Sequence, residues 1–440
     1  MNAIWVVALL ALAQVPDELE TEDGDIVFPV VPGAPREAAV VPAPLPEESP
    51  PLISPVVFGG YVDLGFFVPF GTGVGVRQDF GNVNFPALAS QYGWVFYGDL
   101  LAPAINTRGE AADLGDLPGA RRFDSVHSRG APGFIVNEVN LRAQASVSTN
   151  VLILASVNLL PRSGTEFSLG DVLEVDLAQL EWMPTADHRT SIFAGKMESL
   201  LGVEYRQRKA HTRFGVTPSL IARYTTGTPL GLKVRTKLFK GDFLTLALAL
   251  TNGSSTTEQF HFYDEVDTNA GKTISGRASI KPFSFFDHSP LGELELGVSG
   301  AWGPQDRALD SASPLWFVGV DLLWHKGRID VEAQWLKGMA PGKAADQVYG
   351  LTLNQGAYLT LMWRITSLVG VLARGELRDA FVFLGDERAY LTQSFRVTAG
   401  ARLSFDEHVT LKAEYLFNGE YGGVPQVPND VFTSSLVLAY

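Results

Sequence analysis

SFRVTAGARLSFDEHVTLKAEYLFN, residues 394–418, alternates with a period of two on both sides of a short break. Phe395, Val397, Ala399, Ala401, Leu403 and Phe405 fall on one face, and Arg396, Thr398, Gly400, Arg402 and Ser404 on the other. After Asp406-Glu407-His408, Val409, Leu411, Ala413, Tyr415 and Phe417 share a face against Thr410, Lys412, Glu414 and Asn418. Successive side chains of a strand point to opposite sides, so this is a β-hairpin with one apolar and one polar face. A half-buried soluble sheet alternates as well. Segments of about ten residues with aromatics at the ends of the apolar face fit a sheet whose apolar side meets lipid.

The same signature recurs along the chain. Trp316, Val318, Val320, Leu322 and Trp324 share a face, and after Lys326-Gly327 so do Ile329, Val331, Ala333 and Trp335. Such segments fall at 56–68, 134–147, 151–160, 171–183, 190–199, 230–239, 242–252, 271–281, 291–302, 315–325, 328–337, 356–365, 368–378, 394–405, 409–418 and 431–440. In 171–183 the phase slips between Leu177 and Leu180, the mark of a bulge. The even count predicts an all-β fold, a transmembrane antiparallel β-barrel of about 16 strands. A further hairpin around 92–97 would raise it to eighteen.

Connections alternate in length. The turns at 148–150, 240–241, 326–327, 366–367 and 406–408 are short; 69–133, 161–170, 200–229, 253–270, 303–314, 338–355, 379–393 and 419–430 are long. Short periplasmic turns and long external loops are the asymmetry of such barrels. By this parity, 200–229 is the third external loop, and we expect it to fold inward.

Composition agrees. Beyond the first dozen residues no apolar run approaches the ~18 of a membrane helix, so a membrane location requires a closed barrel. The absence of cysteine excludes disulfides and thiolate metal sites. The first 13 residues form an apolar core ending Ala11-Leu12-Ala13, read as a signal peptide although no Lys or Arg precedes it. Residues 14–55 are proline-rich, with nine acidic residues against Arg36 alone. This composition predicts a disordered acidic linker in the periplasm, ahead of a barrel domain at 56–440.

The segment 201–229, LGVEYRQRKAHTRFGVTPSLIARYTTGTP, is a basic island in a chain of formal net charge -14. It holds Arg206, Arg208, Lys209, His211, Arg213 and Arg223, and no acid follows Glu204 until Asp242. On the next strand Lys233, Arg235 and Lys237 occupy one phase, with Leu232, Val234 and Leu238 on the other. A cation facing lipid at mid-bilayer costs about 2–4 kcal/mol, so the basic phase faces the lumen. Arg142, Arg364, Arg374, Arg396 and Arg402 fall on luminal phases too. Confined positive charge concentrates anions, and the expectation is a pore constriction that prefers small anions. Glu174, Asp176, Asp321, Asp330 and Glu332 are placed to neutralise part of it, the alternative being a weakly selective pore. Glu204 is expected to pair with a nearby arginine.

In the last strand Phe432, Leu436, Leu438 and Tyr440 share a face and an aromatic closes the sequence. This looks like the signal by which barrel assembly machinery recognises its clients.

With these features in hand, the chain resembles the phosphate-selective porin O and P family and neighbouring sixteen-stranded porins. The resemblance rests on Phe193-Ala-Gly-Lys196, Leu201-Gly-Val-Glu204, the long loop after them, Gly231-Leu-Lys-Val, and 246–253. It implies an outer-membrane homotrimer of channels for small anionic solutes, phosphate or small organic anions among them, embedded in outer-membrane lipid.

Other chemistry finds little support. The seven histidines make no HExxH, and GxSxG is absent. The glycine run at 71–76 and Gly271-Lys272-Thr273 lack the remainder of a phosphate loop. Asp113 and Asp116 match no EF-hand spacing. No enzyme, cofactor, metal or nucleic-acid partner is predicted. A plugged or adhesive barrel is the remaining non-transport alternative.

Overall fold

The computed structural model describes residues 56–70, 133–159, 173–252, 271–286, 289–304, 314–340, 349–384, 387–421 and 430–440. The signal peptide (1–13), the acidic linker (14–55), the hairpin around 92–97, and Asp113 and Asp116 lie outside these residues.

Sixteen antiparallel strands close into one barrel, each bonded to its neighbours in sequence. They are β1 (Val57–Pro69), β2 (Gly133–Ser148), β3 (Val151–Leu159), β4 (Leu173–Trp182), β5 (Thr190–Lys196) and β6 (Leu230–Leu238). There follow β7 (Leu244–Thr251), β8 (Thr273–Ile280), β9 (Glu293–Pro304), β10 (Pro314–Lys326) and β11 (Ile329–Ala340). The last are β12 (Tyr349–Arg364), β13 (Val369–Leu384), β14 (Glu387–Ser404), β15 (Val409–Glu420) and β16 (Val431–Ala439). Closure is made by β1 on β16, from Tyr61 opposite Ala439 to Pro69 opposite Val431. Beyond that register Tyr440 N donates to Gly60 O at 3.0 Å and Gly60 N to Tyr440 O at 3.2 Å. A Cβ at Gly60 would collide with the Asn140 carbonyl of β2, so the seam needs a glycine there.

The barrel is apolar outside and polar inside. Leu248 is 61% and Trp302 58% exposed, while Arg396 and Lys412 are each 1% exposed. Such a distribution would be insoluble in water and is stable only with lipid outside, where an antiparallel barrel leaves no unpaired edge.

The slip in β4 is a bulge, one residue before the Leu177–Leu180 interval. Ser156 pairs with Leu177 and Val157 with Val175, leaving Asp176 as the extra residue. Asp176 and Leu177 consequently both turn inward, while Val175 and Leu180 stay outside.

Three strands run longer than expected. Register shifts occur between Leu336 and Gly338 in β11, Leu353 and Gln355 in β12, and Ala380 and Phe381 in β13. In β12 the inward phase changes from Leu353 to Gly356, Tyr358 and Thr360, because a bulge reverses the phase of every residue beyond it. The expected loop 379–393 is therefore mostly strand, with β13 and β14 separated by 385–386 alone. At the other end the connection between β8 and β9 is not a tight turn but spans 281–292.

Candidate functional site

The connection from β5 to β6, residues 197–229, contains a short 3-10 turn at Glu204–Gln207 and one helical turn, α1 (Ala222–Thr225). Most of it is buried, and it bonds to inward-facing side chains on three sectors of the wall.

The first sector is β9 to β11. Gly202 N donates to Ser299 Oγ at 2.8 Å and Val203 N to Gln334 Oε1 at 3.0 Å. Arg206 makes two bonds to Glu295, at 3.0 and 2.9 Å, and Gln207 Nε2 reaches Glu332 at 2.6 Å. Arg277 on β8 shares Glu295 and pairs with Asp321.

The second sector is β1 to β4. Arg208 holds both oxygens of Asp176, with Glu198 at 3.5 Å. Lys209 lies 2.8 Å from Asp176 and 3.3 Å from Glu138. The inward bulge in β4 is what presents Asp176 to both. Burial opposes the charge on Arg208, yet the Asp176 carboxylate holds its pKa above the usual range. His211 stacks against Tyr61 with ring centroids 4.7 Å apart. Burial, reinforced by Lys209, Lys412 and Arg142, pulls the imidazole down to about 4, so it is neutral at pH 7.

The third sector is β13 to β15. Glu414 accepts from Val216 N, Thr217 N and Thr217 Oγ1 at 2.8, 2.9 and 2.7 Å. Glu376 accepts from Leu220 N at 2.6 Å and pairs with Arg374 and Arg396. Both guanidiniums donate onward to the connection, Arg374 to Thr217 O at 2.8 Å and Arg396 to Pro218 O at 2.5 Å. Lys412 donates to the carbonyls of Ala210, Arg213 and Gly215. Apolar contacts complete the seat. Phe214 packs with Met362 and Leu372, and Tyr224 lies 5.7 Å from Phe317.

The expected site residues thus divide. Arg206, Arg208 and Lys209 are paired with carboxylates. So are Arg235 with Glu181 (3.4 Å), Lys237 with Asp242 (3.1 Å) and Arg396 with Glu376. Lys233 is buried with its ammonium 4.4 Å from the Phe193 ring centroid. Arg213 donates to Arg208 O. Arg402 bonds Ser404 Oγ at 3.0 Å and lies over the Phe214 ring. Among the described residues, Arg213, Arg402 and Lys412 form no ion pair with a carboxylate. Arg223 belongs to α1, and its side chain is outside the described residues, as is that of Glu174. Arg142 bonds Gln144, and Arg364 pairs with Asp330 at 2.8 Å. Leu438 and Tyr440 are exposed on the outward phase, with Phe432 and Leu436 half-buried on it.

Glu204 takes a different partner from the arginine expected. It accepts from Ser219 N at 2.6 Å and Ser219 Oγ at 2.5 Å, because the connection doubles back over it. Burial raises its pKa, and Arg374 acts only as a more distant counterweight.

Lys412 and Glu414 fall on the polar phase of the sequence, and Glu376 and Glu295 within expected strands, but none carries a signal of its role. Each holds a segment remote in sequence, and only the folded barrel brings them together.

A closed sixteen-stranded barrel with a polar, charge-paired interior is the fold of outer-membrane porins. Solved structures bear this out at the level of fold. The outer membrane channel DcaP of Acinetobacter baumannii superposes with a TM-score of 0.50 at 11% identity, over 88% of this chain and 97% of that one. OmpF of Salmonella typhi, solved with daunomycin, gives 0.50 at 9% identity over the same shares. No family model and no curated protein sequence matches the chain.

Proposed function

We propose that the chain is an outer-membrane channel for passive diffusion of small hydrophilic solutes, with a preference for small anions such as phosphate or organic anions. The observation that carries the preference is that half-buried Arg213 and Arg402 have no carboxylate partner among the described residues, whereas Arg206, Arg208, Lys209, Arg235 and Lys237 do. An excess of fixed positive charge in a narrow, low-dielectric passage raises the local anion concentration. On this reading segment 197–229 narrows the lumen, and its early cations hold it in place rather than select ions. Assembly as a homotrimer, recognition of β16 by barrel assembly machinery, and a periplasmic position for residues 14–55 belong to the same proposal.

The test is the reversal potential of the purified protein in a planar bilayer under a KCl gradient. A potential of the sign set by chloride supports the reading. A potential near zero favours a weakly selective pore, the second reading, supported by the many matched ion pairs. No conductance at all would favour a plugged or adhesive barrel.

A further inference from the structure

Among the described residues, three that are not glycine have positive φ: His188 (53°), Phe239 (68°) and Asp242 (52°). All three lie in two adjoining turns at the short-turn end of the barrel, 183–189 between β4 and β5 and 239–243 between β6 and β7. The turns are bonded together: Lys237 N donates to Arg189 O at 2.9 Å and Arg189 Nη1 to Phe239 O at 3.2 Å. A bulky residue in left-handed backbone is strained, and strain persists where surrounding contacts impose it, often at functional positions. Here it aims the Phe239 ring outward, 58% exposed.

The unusually long β8–β9 connection folds against this pair. Lys281 N donates to Phe243 O at 2.8 Å. Gly241, at φ 65°, lies so close to Ser284 that any Cβ would strike its carbonyl. The contact sets Phe285 4.9 Å from Phe243, which is 6.2 Å from Phe239, and leaves Phe286 65% exposed. The shelf continues the lipid-facing belt, since Leu238 is opposite Leu244 and Leu244 opposite Ile280 directly above it. Around it stand Arg189, Lys240 and Lys281. Asp187 and Asp242 answer Arg189 and Lys237 at 3.7 and 3.1 Å, and Glu293 is exposed nearby.

We propose that this shelf binds an anionic phospholipid in the bilayer leaflet on the short-turn side. Phe239, Phe285 and Phe286 enter the boundary between glycerol and acyl chains, and Arg189, Lys240 and Lys281 hold the phosphate. Continuity with the lipid-facing belt favours a lipid over a soluble protein, and the basic rim favours an anionic headgroup over a zwitterionic one. The inference goes beyond the channel reading and requires only that the barrel lie in a bilayer.

The experiment uses the full chain in detergent micelles, with retention of phosphatidylglycerol and of phosphatidylcholine compared by native mass spectrometry. Wild type should retain phosphatidylglycerol preferentially, and 1 M salt should abolish the preference. In K240Q/K281Q it should fall by roughly fivefold for each cation removed, whereas F285S/F286S should weaken both lipids. Retained conductance and resistance to unheated SDS report that the variants are folded. Equal retention of both lipids by wild type, a preference that survives high salt, or an unchanged preference in K240Q/K281Q would overturn the proposal. Wild type in high salt tests it even if a variant does not fold.

Discussion

Arg208 grips both oxygens of Asp176, the residue that the β4 bulge turns into the barrel. Lys209 shares the same carboxylate. One bulge thus supplies the anchor for two cations of a segment that the sequence places on another connection. Asp176→Asn removes the charge while keeping the shape. It leaves two buried cations short of a partner, and breaking a buried pair from one side costs about 3–5 kcal/mol. Urea unfolding in micelles should show a loss of that order, and single-channel records should show added open-state noise as the segment loosens.

Charge selection and anchoring should separate by mutation. Arg402→Gln and Arg213→Gln remove cations without carboxylate partners, so each should lower the chloride-to-potassium permeability ratio by roughly a factor of two. The double variant R206Q/E295Q removes one charge of each sign and should leave the ratio near its original value. Reversal potentials for all of them check this. An equal drop in R206Q/E295Q would return selectivity to the early part of the connection.

The fold was legible because lipid imposes a rule on every second residue, and Val397, Phe417 and Trp363 obey it as plainly as Arg396 and Lys412 do on the other phase. Legibility stopped at the bulges. Past Leu353 the phase reverses, so a pattern that continues in space breaks in sequence. The site was half legible. The basic island at 206–213 is evident from composition, but pairing is not. The partners of Arg206 and Val216, Glu295 and Glu414, lie 89 and 198 positions away. Nothing local distinguishes a carboxylate that seats a backbone from one that faces water.

Glu414 tests the third anchor. It accepts two backbone N–H groups and a hydroxyl, and bonds to a charged acceptor contribute about 1.5–3 kcal/mol each. Glu414→Gln keeps one acceptor oxygen and turns an amine toward the Val216 or Thr217 N–H. Stability should fall by about 2 kcal/mol, and segment 213–221 should lift from β15. Greater conductance or frequent substates would mark that movement. Unchanged conductance with unchanged urea stability would mean that Arg374, Arg396 and Lys412 suffice to seat it.

His211 predicts the direction of one pH dependence. Its folded pKa is pulled to about 4, against about 6.5 in the unfolded chain, so between these values the unfolded chain binds more protons. Stability from this residue is present above pH 6.5 and is lost as pH falls toward 4, by at most about 3 kcal/mol. His211→Gln should flatten that part of the stability profile, measured by urea unfolding in micelles at half-unit steps from pH 7 to 4. The slope has this sign because the cost lies first in charging a buried imidazole, and then in its neighbours Lys209, Lys412 and Arg142. Protonation of the folded channel adds positive charge within the lumen only as pH approaches 4, so anion preference should rise at the acid end of this window, after most of the stability has been lost. A wild-type protein whose stability rose on acidification through this window, with the rise abolished in His211→Gln, would show the imidazole to be charged in the folded state.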